Sequence, residues 1–349
     1  MSTPRLAGFA MPPEWAPHTR TWMEFPCANE TFGEDPDGEL GHLREVWAGV
    51  TNAIAPFEPV SLVCNVGDTD AARALVDPSV EIHETPTNDA WMRDSGPTFV
   101  THPDGRLGAT HWRFNAWGDA GFSRWDDEQH VGSFVAGLAG AELFSSGMVN
   151  EGGGIHVDGR GTVLITETVQ LDPGRNPTMN SESVETELKA YLGVSHVIWL
   201  PRGLTKDYDR FGTRGHVDII ATFTPTGVVL AHTQPDTDHP DHEICNENLA
   251  ILRASKDATG RPLEVVEVPA PRTTEVDGEL VDWGYINHYV CNGAVIMCTF
   301  ADDNDESAAQ ILARAYPGRT IVPYDAREIF ACGGGIHCIT QQQPHAGSR

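Results

Sequence analysis

A short strand, a helix and a second strand follow one another three times along the chain. The copies cover Pro59–Cys64, Asp70–Val76 and Val80–His83, then Thr162–Thr166, Ser181–Leu192 and Ser195–Leu200, and finally Ala294–Phe300, Asp305–Tyr316 and Thr320–Pro323. A further helix is predicted over residues 42–56, with an apolar face made of Leu43, Val46, Trp47, Val50 and Ile54. Parallel strands need a crossover that is usually a helix, so the pattern predicts an α/β protein.

Tight hairpins with glycine-containing turns lie between these copies. They are predicted over Thr98–Arg113, Gly154–Thr166 and Val217–His232, with turns at residues 103–105, 158–159 and 225–227. A supersecondary unit that repeats indicates a pseudo-symmetric arrangement, in which the same edge of each unit faces one axis. We therefore expect one domain over residues 1–349, with no linker that divides it.

Polar residues stand immediately before or within the start of these hairpins. Asp94 precedes the first, Glu151 precedes the second, and His216 and Asp218 open the third, whereas Cys338 follows a run of glycines after the last crossover. If one edge of each unit faces a common axis, these five side chains meet there.

Three carboxylates, an imidazole and a thiol suit a cationic substrate. A guanidinium carries five N–H donors in a plane and pairs with carboxylates through two bonds at a time. Its carbon needs a strong nucleophile, which a thiolate provides, and histidine can protonate the departing nitrogen and then activate water. The set predicts hydrolysis of a C–N bond in a guanidine, with release of ammonia and a ureido product.

The composition narrows the classes of partner. With 50 acidic and 23 basic residues the net charge is −27, which argues against nucleic acid or an anionic membrane as a partner and permits a cationic small molecule. The seven cysteines form no C-x-x-C pair, and the first 20 residues lack the pattern of a signal peptide. A cytoplasmic protein without structural disulfides is expected.

Long motifs resemble one known family. They are PPEW at residues 12–15, NDAWMRDSGP at 88–97, EGGGIHVDG at 151–159, RNP at 175–177, GHVD at 215–218 and DAREIFACGGGIHCITQQQP at 325–344. They are similar to those of the agmatine deiminase family, a branch of the guanidino-group-modifying enzymes related to bacterial peptidyl-arginine deiminase. The resemblance implies a five-bladed pseudo-symmetric α/β propeller of ββαβ units, the pentein fold, and commonly a homodimer.

The resemblance also implies roles for the catalytic residues. Cys338 would be the nucleophile, His216 the acid and base, and Glu151 the residue that holds His216. A covalent thiouronium on Cys338 would be the intermediate, and no metal or organic cofactor would be needed. The reaction implied is conversion of agmatine to N-carbamoylputrescine, a step of putrescine biosynthesis.

Substrate binding is implied for the carboxylates of Asp94 and Asp218, which would contact the guanidinium nitrogens. Trp91 would line the pocket beside the alkyl chain of the substrate. His337 neighbours the nucleophile, and strand alternation predicts that it points to the opposite face and has a packing role.

Some positions beside these residues depart from the family pattern. The departures are Gly154, Arg214, Ile219, Cys332 and Gly335. They leave open another alkylguanidine, a guanidino acid or peptidyl-arginine as substrate, and Arg214 would suit a substrate carboxylate. Outside this chemistry, a Cys–His amidase and an inactive guanidine-binding protein remain alternatives; an amidase would need an oxyanion hole rather than converging carboxylates.

Overall fold

The computed structural model describes residues 2–119, 121 and 123–347. Five of the sheets in this part of the chain share one strand order. In each, a first strand is antiparallel to a second, and a helix then returns the chain to a third strand that is parallel to the second. The predicted α/β class is confirmed, and the repeated ββαβ element is present.

We number these elements unit 1 to unit 5. Unit 1 contains strands Thr98–Thr101 and Leu107–Arg113, helix Glu128–Leu138 and strand Glu142–Val149. Unit 2 contains strands His156–Val157 and Thr162–Thr166, helix Ser181–Leu192 and strand His196–Leu200. Unit 3 contains strands Ala221–Phe223 and Val228–Thr233, helix Asp241–Ala254 and strand Glu264–Pro269. Unit 4 contains strands Tyr289–Cys291 and Ala294–Thr299, helix Asp305–Ala315 and strand Thr320–Asp325.

Unit 5 joins the two ends of the chain. It contains strands Thr340–Pro344 and His18–Glu24, helix Glu39–Ile54 and strand Val60–Cys64, and is extended by helix Thr69–Leu75 and strand Glu81–Glu84. Its antiparallel pair places Trp22 opposite Gln341, more than 300 residues away in sequence. The pairing brings the segment that carries Cys338 against the beginning of the chain.

Smaller elements connect the units. They are the short helices Met92–Ser95, Glu167–Gln170 and Arg327–Ala331, the turn Ala116–Asp119, the 3₁₀ turns Gly152–Gly154, Lys206–Tyr208 and Val217–Ile219, and the hairpin formed by Glu275–Val276 and Glu279–Leu280. No helix in residues 2–119, 121 and 123–347 has the length and hydrophobicity needed to cross a bilayer.

Helix Glu39–Ile54 illustrates how the sequence pattern becomes packing. Leu43, Trp47, Val50 and Ile54 are buried, as their spacing predicts, and Val46 at the edge of the stripe is half-buried. Each fully buried aliphatic side chain of this kind stabilises the fold by about 1.5–3 kcal/mol. The stripe therefore fixes which face of the helix covers its sheet.

Two crossover helices were absent from the sequence prediction. Helix Asp241–Ala254 has a buried stripe that includes Asn248 as well as Ile244, Leu249 and Leu252, so its periodicity is interrupted by a polar side chain. Helix Glu128–Leu138 contains two glycines and buries Glu128, which weakens the same signal.

The segments that precede the first strand of each unit face one another. Helix Met92–Ser95 contacts the 3₁₀ turn Gly152–Gly154, which contacts the 3₁₀ turn Val217–Ile219. The backbone N–H of Arg93 also donates to the Cys338 carbonyl at 3.1 Å. Residues far apart in sequence thus share one end of the units.

Candidate active site

The structure brings together all five polar side chains that the sequence singles out. The Cys338 Sγ lies 3.6 Å from Asp218 Oδ2, and the two ring nitrogens of His216 lie 3.3 Å from Glu151 Oε2 and 3.8 Å from Asp94 Oδ2. None of the five is more than 5% exposed. They form a buried cluster rather than a set of surface groups.

Gly153 lies at the centre of this cluster. A Cβ at this position would come within 2.5 Å of His216 Nδ1, 2.9 Å of Asp218 Oδ2 and 3.1 Å of Asp94 Oδ1. The Gly153 N–H donates to Asp94 Oδ1 at 3.0 Å. Glycine is therefore required because the polar groups approach the backbone itself, not because of its φ angle.

Three carboxylates determine the charge of His216. Burial lowers the pKa of this imidazole, but Asp94, Glu151 and Asp218 outweigh burial and raise the pKa to about 9. His216 is consequently an imidazolium at neutral pH and can donate a proton to a leaving group.

Arg175 holds Glu151 in its ionised form. Its Nε donates to both carboxylate oxygens of Glu151 at 2.9 and 3.0 Å, and its remaining nitrogens donate to Asp172 Oδ2 and the Thr213 carbonyl at 2.8 and 2.7 Å. Burial opposes ionisation of Glu151, yet Arg175 and His216 bring its pKa to about 2. The fixed carboxylate can then orient the His216 ring.

Arg214, one of the departures from the family pattern, faces a carboxylate of the chain itself. Its Nη1 lies 3.2 and 3.1 Å from the two oxygens of Asp172, and its side chain is 40% exposed. Asp172 thus bridges Arg214 and Arg175. The preference for a substrate carboxylate at Arg214 stays a prediction, with Asp172 as the competitor.

A strained turn supplies a donor to Asp94. Ala116, Trp117, Gly118 and Asp119 all have positive φ, at 51°, 56°, 92° and 55°. For residues other than glycine this left-handed conformation costs about 1–2 kcal/mol each. The Trp117 Nε1–H donates to Asp94 Oδ2 at 2.8 Å, so the strain is located where the indole meets the site.

His337 does not have the packing role expected of it. The expectation assumed a strand, whereas residues 336–339 form a turn, and the ring joins two carboxylates: Nδ1 donates to Asp218 Oδ2 at 2.8 Å and Nε2 to Glu14 Oε1 at 2.9 Å. Burial and Arg93 lower the pKa of His337, but Glu14 and Asp218 raise it overall. The ring is a cation that orients Asp218.

The nucleophile candidate is a protonated thiol in this arrangement. Burial raises the pKa of Cys338 well above its ordinary value, and the charges of Asp218 and Asp94 add to the effect. The Asn287 side chain also contacts this sulfur, at 3.2 Å from Nδ2 and 3.4 Å from Oδ1. Neither the elevated pKa nor this amide was anticipated from the sequence.

Trp91 and the Cys338 thiol both lie on the side of Gly334 to which a Cβ would point. A Cβ at Gly334 would lie 2.7 Å from Trp91 Cζ3 and 3.1 Å from Cys338 Sγ. The Trp91 ring is held edge-on against Trp47 at a centroid distance of 5.7 Å. The indole is therefore held close to the sulfur, and its contact with the alkyl chain of a substrate stays a prediction.

The remaining departures from the family pattern are buried. A Cβ at Gly335 would collide with Asn287 Oδ1 and the Phe330 ring, so a larger residue does not fit beside this asparagine. Ile219 is buried, and burial raises the pKa of Cys332 to about 12, which leaves that thiol unreactive.

Two polar atoms of the cluster have no hydrogen-bond partner among the described residues. They are His216 Nδ1 and Asp218 Oδ1, both fully buried. Buried polar atoms are rarely left unpaired, so these two atoms indicate where a ligand binds. No group of three or more His, Cys, Asp or Glu side chains in the same described part of the chain is arranged to hold a metal ion.

The repeated ββαβ units bring a thiol, an imidazole and carboxylates together at one end of the units. This combination is typical of the enzymes that act on guanidino groups. The comparisons with known proteins agree. Residues 10–344 match the model of the Porphyromonas-type peptidyl-arginine deiminases. The chain belongs to this family.

Individual relatives cover nearly the whole chain. A provisionally named agmatine deiminase of Streptomyces avermitilis is 55% identical over 346 residues, which span 99% of each chain. The agmatine deiminase of Pseudomonas syringae pv. tomato is 39% identical and covers 98% of this chain and 97% of its own. The solved agmatine deiminase of Enterococcus faecalis superposes with a TM-score of 0.93 at 31% identity, and 99% of each chain is covered.

Proposed function

We propose that the chain hydrolyses agmatine to N-carbamoylputrescine and ammonia. The observation that carries the proposal is the placement of His216, Asp94 and Asp218 around the backbone of Gly153. Cys338 lies against Asp218, and Glu151 lies against His216. Relatives named agmatine deiminase that match over nearly the full length support agmatine over other guanidino compounds.

Binding begins with the carboxylates. Asp94 and Asp218 accept hydrogen bonds from the guanidinium, and the unpaired Asp218 Oδ1 gains the donor that it lacks. His337 and Trp117 keep the two carboxylates in place, since each donates to one of their oxygens. Trp91 contacts the alkyl chain.

The substrate itself activates the nucleophile. In the unliganded site, Asp218 and Asp94 oppose ionisation of Cys338 and raise its pKa. A guanidinium placed between them offsets both charges, so the thiol pKa falls on binding and one proton is released to water. The products of this step are a Cys338 thiolate and a His216 imidazolium.

Two displacements complete the reaction. The thiolate attacks the guanidinium carbon, and His216 donates its proton to one –NH₂ group, which leaves as ammonia and yields a thiouronium on Cys338. Neutral His216 then takes a proton from water, and the hydroxide adds to the same carbon. Collapse expels the Cys338 thiolate and releases the ureido product, while the last proton is taken up by ammonia.

We propose that the five units form a closed five-bladed propeller and a single domain. The support is their shared strand order, the pairing of the two chain ends in unit 5, and the contacts between the segments before their first strands. A ring of units explains why one residue from each of several units reaches the same site.

We also propose a cytoplasmic location and a homodimer. All seven cysteines are free and buried, which suits a reducing compartment. The net charge of −27 supports the absence of nucleic acid among the partners. Light scattering at micromolar concentration tests the dimer.

The experiment is a substrate panel combined with one substitution. The protein is incubated separately with five compounds, and the ureido product is measured in each case. The compounds are agmatine, guanidinobutyrate, methylguanidine, arginine and an arginine peptide. Agmatine is expected to react fastest, and Cys338→Ser to abolish turnover, with Cys332→Ser as the matched control. Faster reaction of a guanidino acid or a peptide would reassign the substrate, and an active Cys338→Ser variant would refute the mechanism.

A further inference from the structure

Four of the five units contribute a polar residue from the segment before their first strand. Each of these residues stands two to five positions before a first strand: Asp94 before the strand that begins at 98, Glu151 before 156, Asp218 before 221 and Cys338 before 340. The first strand of unit 4 begins at Tyr289, and Asn287 stands two residues before it. Asn287 is fully buried and occupies the equivalent place in the remaining unit.

The backbone fixes how the Asn287 amide is oriented. The His337 N–H donates to Asn287 Oδ1 at 3.0 Å, which identifies that atom as the oxygen. The other amide atom is therefore the –NH₂ group, and its two hydrogens face Cys338 Sγ at 3.2 Å and the Asp218 carbonyl at 3.4 Å. One amide hydrogen consequently points at the sulfur.

Among the described contacts, the other polar side chain on this sulfur is a carboxylate. Asp218 Oδ2 can accept from the thiol but cannot donate to a thiolate. His216 is turned toward Glu151 and Asp94. The amide of Asn287 thus supplies the side-chain hydrogen bond that the ionised sulfur gains.

We propose that Asn287 is a catalytic residue that stabilises the Cys338 thiolate through the hydrogen bond from its Nδ2. This role deepens, and rests on, the proposed function. It acts in both half-reactions, because the thiolate forms before attack and forms again when the thiouronium collapses. It also explains Gly335, since a side chain there would displace the Asn287 amide.

The test measures the reactivity of the sulfur separately from turnover. Asn287→Ala removes the donor without adding a charge, and Asn287→Asp removes it but keeps an acceptor for the His337 N–H. Cys338 alkylation by iodoacetamide is followed by mass spectrometry of its peptide between pH 7 and 10, and agmatine turnover is measured in parallel. Asn248→Asp is the control, since Asn248 is equally a buried asparagine but donates to the Arg202 carbonyl.

Below the thiol pKa the alkylation rate follows the thiolate fraction. Loss of a hydrogen bond to a charged group is expected to lower this rate and kcat about 10- to 100-fold in both variants, with KM for agmatine changed less than about threefold. Alkylation and kcat like those of the unsubstituted protein in Asn287→Ala would overturn the role. A defect in Asn287→Asp alone would also overturn it, because the added charge rather than the lost donor would be responsible.

The two proposals fail in different ways. If Cys338→Ser retains turnover, the proposed mechanism fails whatever Asn287 does to the sulfur. If Cys338→Ser is inactive and Asn287→Ala is fully active, the mechanism stands and the role of Asn287 is wrong.

Discussion

Replacement of Arg175 by methionine tests how much free energy of unfolding is lost when the buried ion pair between Arg175 and Glu151 is broken. The side chains of Arg175 and Glu151 are both 0% exposed, and the pair has two hydrogen bonds of 2.9 and 3.0 Å. Removal of one partner of a buried pair leaves the other charge without compensation and costs about 3–5 kcal/mol. Asp172 keeps Arg214 at 3.1 Å, and Glu151 keeps the His216 ring at 3.3 Å, so the loss is expected toward the lower end of this range.

The assay is urea unfolding at pH 7, followed by tryptophan fluorescence. Glu151 has a folded pKa of about 2, below its ordinary value of 4.5, so the stability that it contributes is fully present at pH 7 and is lost progressively as the pH falls from 4.5 to about 2. Arg272→Met is the matched control, because Arg272 is 70% exposed and its pair with Asp303 is expected to contribute less than about 1 kcal/mol.

A double substitution separates charge from packing. Arg175→Met combined with Glu151→Gln leaves no unpaired charge, so it is expected to recover at least about half of the stability that Arg175→Met loses. The reasoning is refuted if Arg175→Met costs no more than Arg272→Met, or if the double variant is less stable than the single one.

Three further predictions concern the same region. His216 has a folded pKa of about 9, above its ordinary value, so its contribution of order 3 kcal/mol to the free energy of unfolding is present below about pH 6.5 and is lost as the pH rises through 9. In urea unfolding, His216→Gln should lose less stability over that pH range than the unsubstituted protein. Equal losses of stability would contradict the raised pKa. Gly153→Ala should lower kcat/KM for agmatine at least about 100-fold in a steady-state assay. Gly147→Ala is the control, because a Cβ at this position meets open space and should not change kcat/KM. Equal kcat/KM values for the two variants would place the active site elsewhere. Burial and Glu128 raise the pKa of Asp89 from its ordinary value of 3.8 to about 7, so the cost of its charge builds up between these two pH values and is complete above pH 7. Asp89→Asn should therefore raise Tm more at pH 8.5 than at pH 5. A lower Tm at both would show that the carboxylate is needed.

The sequence was sufficient for the parts of the fold that depend on local pattern. The crossover of unit 2 was predicted as helix Ser181–Leu192, which is where the structure has it; Asn180 caps its beginning, and Gly193 ends it in the left-handed conformation. Four residues of the candidate site were found for a related reason, because each stands beside a hairpin with a recognisable turn. They are Asp94, Glu151, His216 and Asp218.

Asn287 was missed although a signal was present. Asn292-Gly293 lies between strands Tyr289–Cys291 and Ala294–Thr299, and this dipeptide is a strong hairpin signal. Recognition of that hairpin would have placed Asn287 before it, in the position that Asp94 holds in unit 1. The strand has three residues, too few for its periodicity to be noticed.

The partners of the polar groups could not be found from local sequence. Glu14 and His337 are 323 positions apart, and Arg175 is 24 residues from Glu151 in another connection. Their pairing depends on how the units are packed together, so no periodicity or turn encodes it. The error at His337 has the same origin, because its role depends on two carboxylates from other segments.

The same carboxylates have opposite effects on the two reactive groups. They raise the His216 pKa to about 9, which suits the proposed acid, and they raise the pKa of Cys338, which disfavours the thiolate form of the proposed nucleophile. A neutral amide would leave the second effect in place, whereas in the proposed mechanism a guanidinium offsets the charges of Asp94 and Asp218, so that the thiolate forms only when the substrate is bound. The charge arrangement therefore favours a deiminase over a Cys–His amidase, and it leaves the unliganded thiol largely protonated and protected from oxidation.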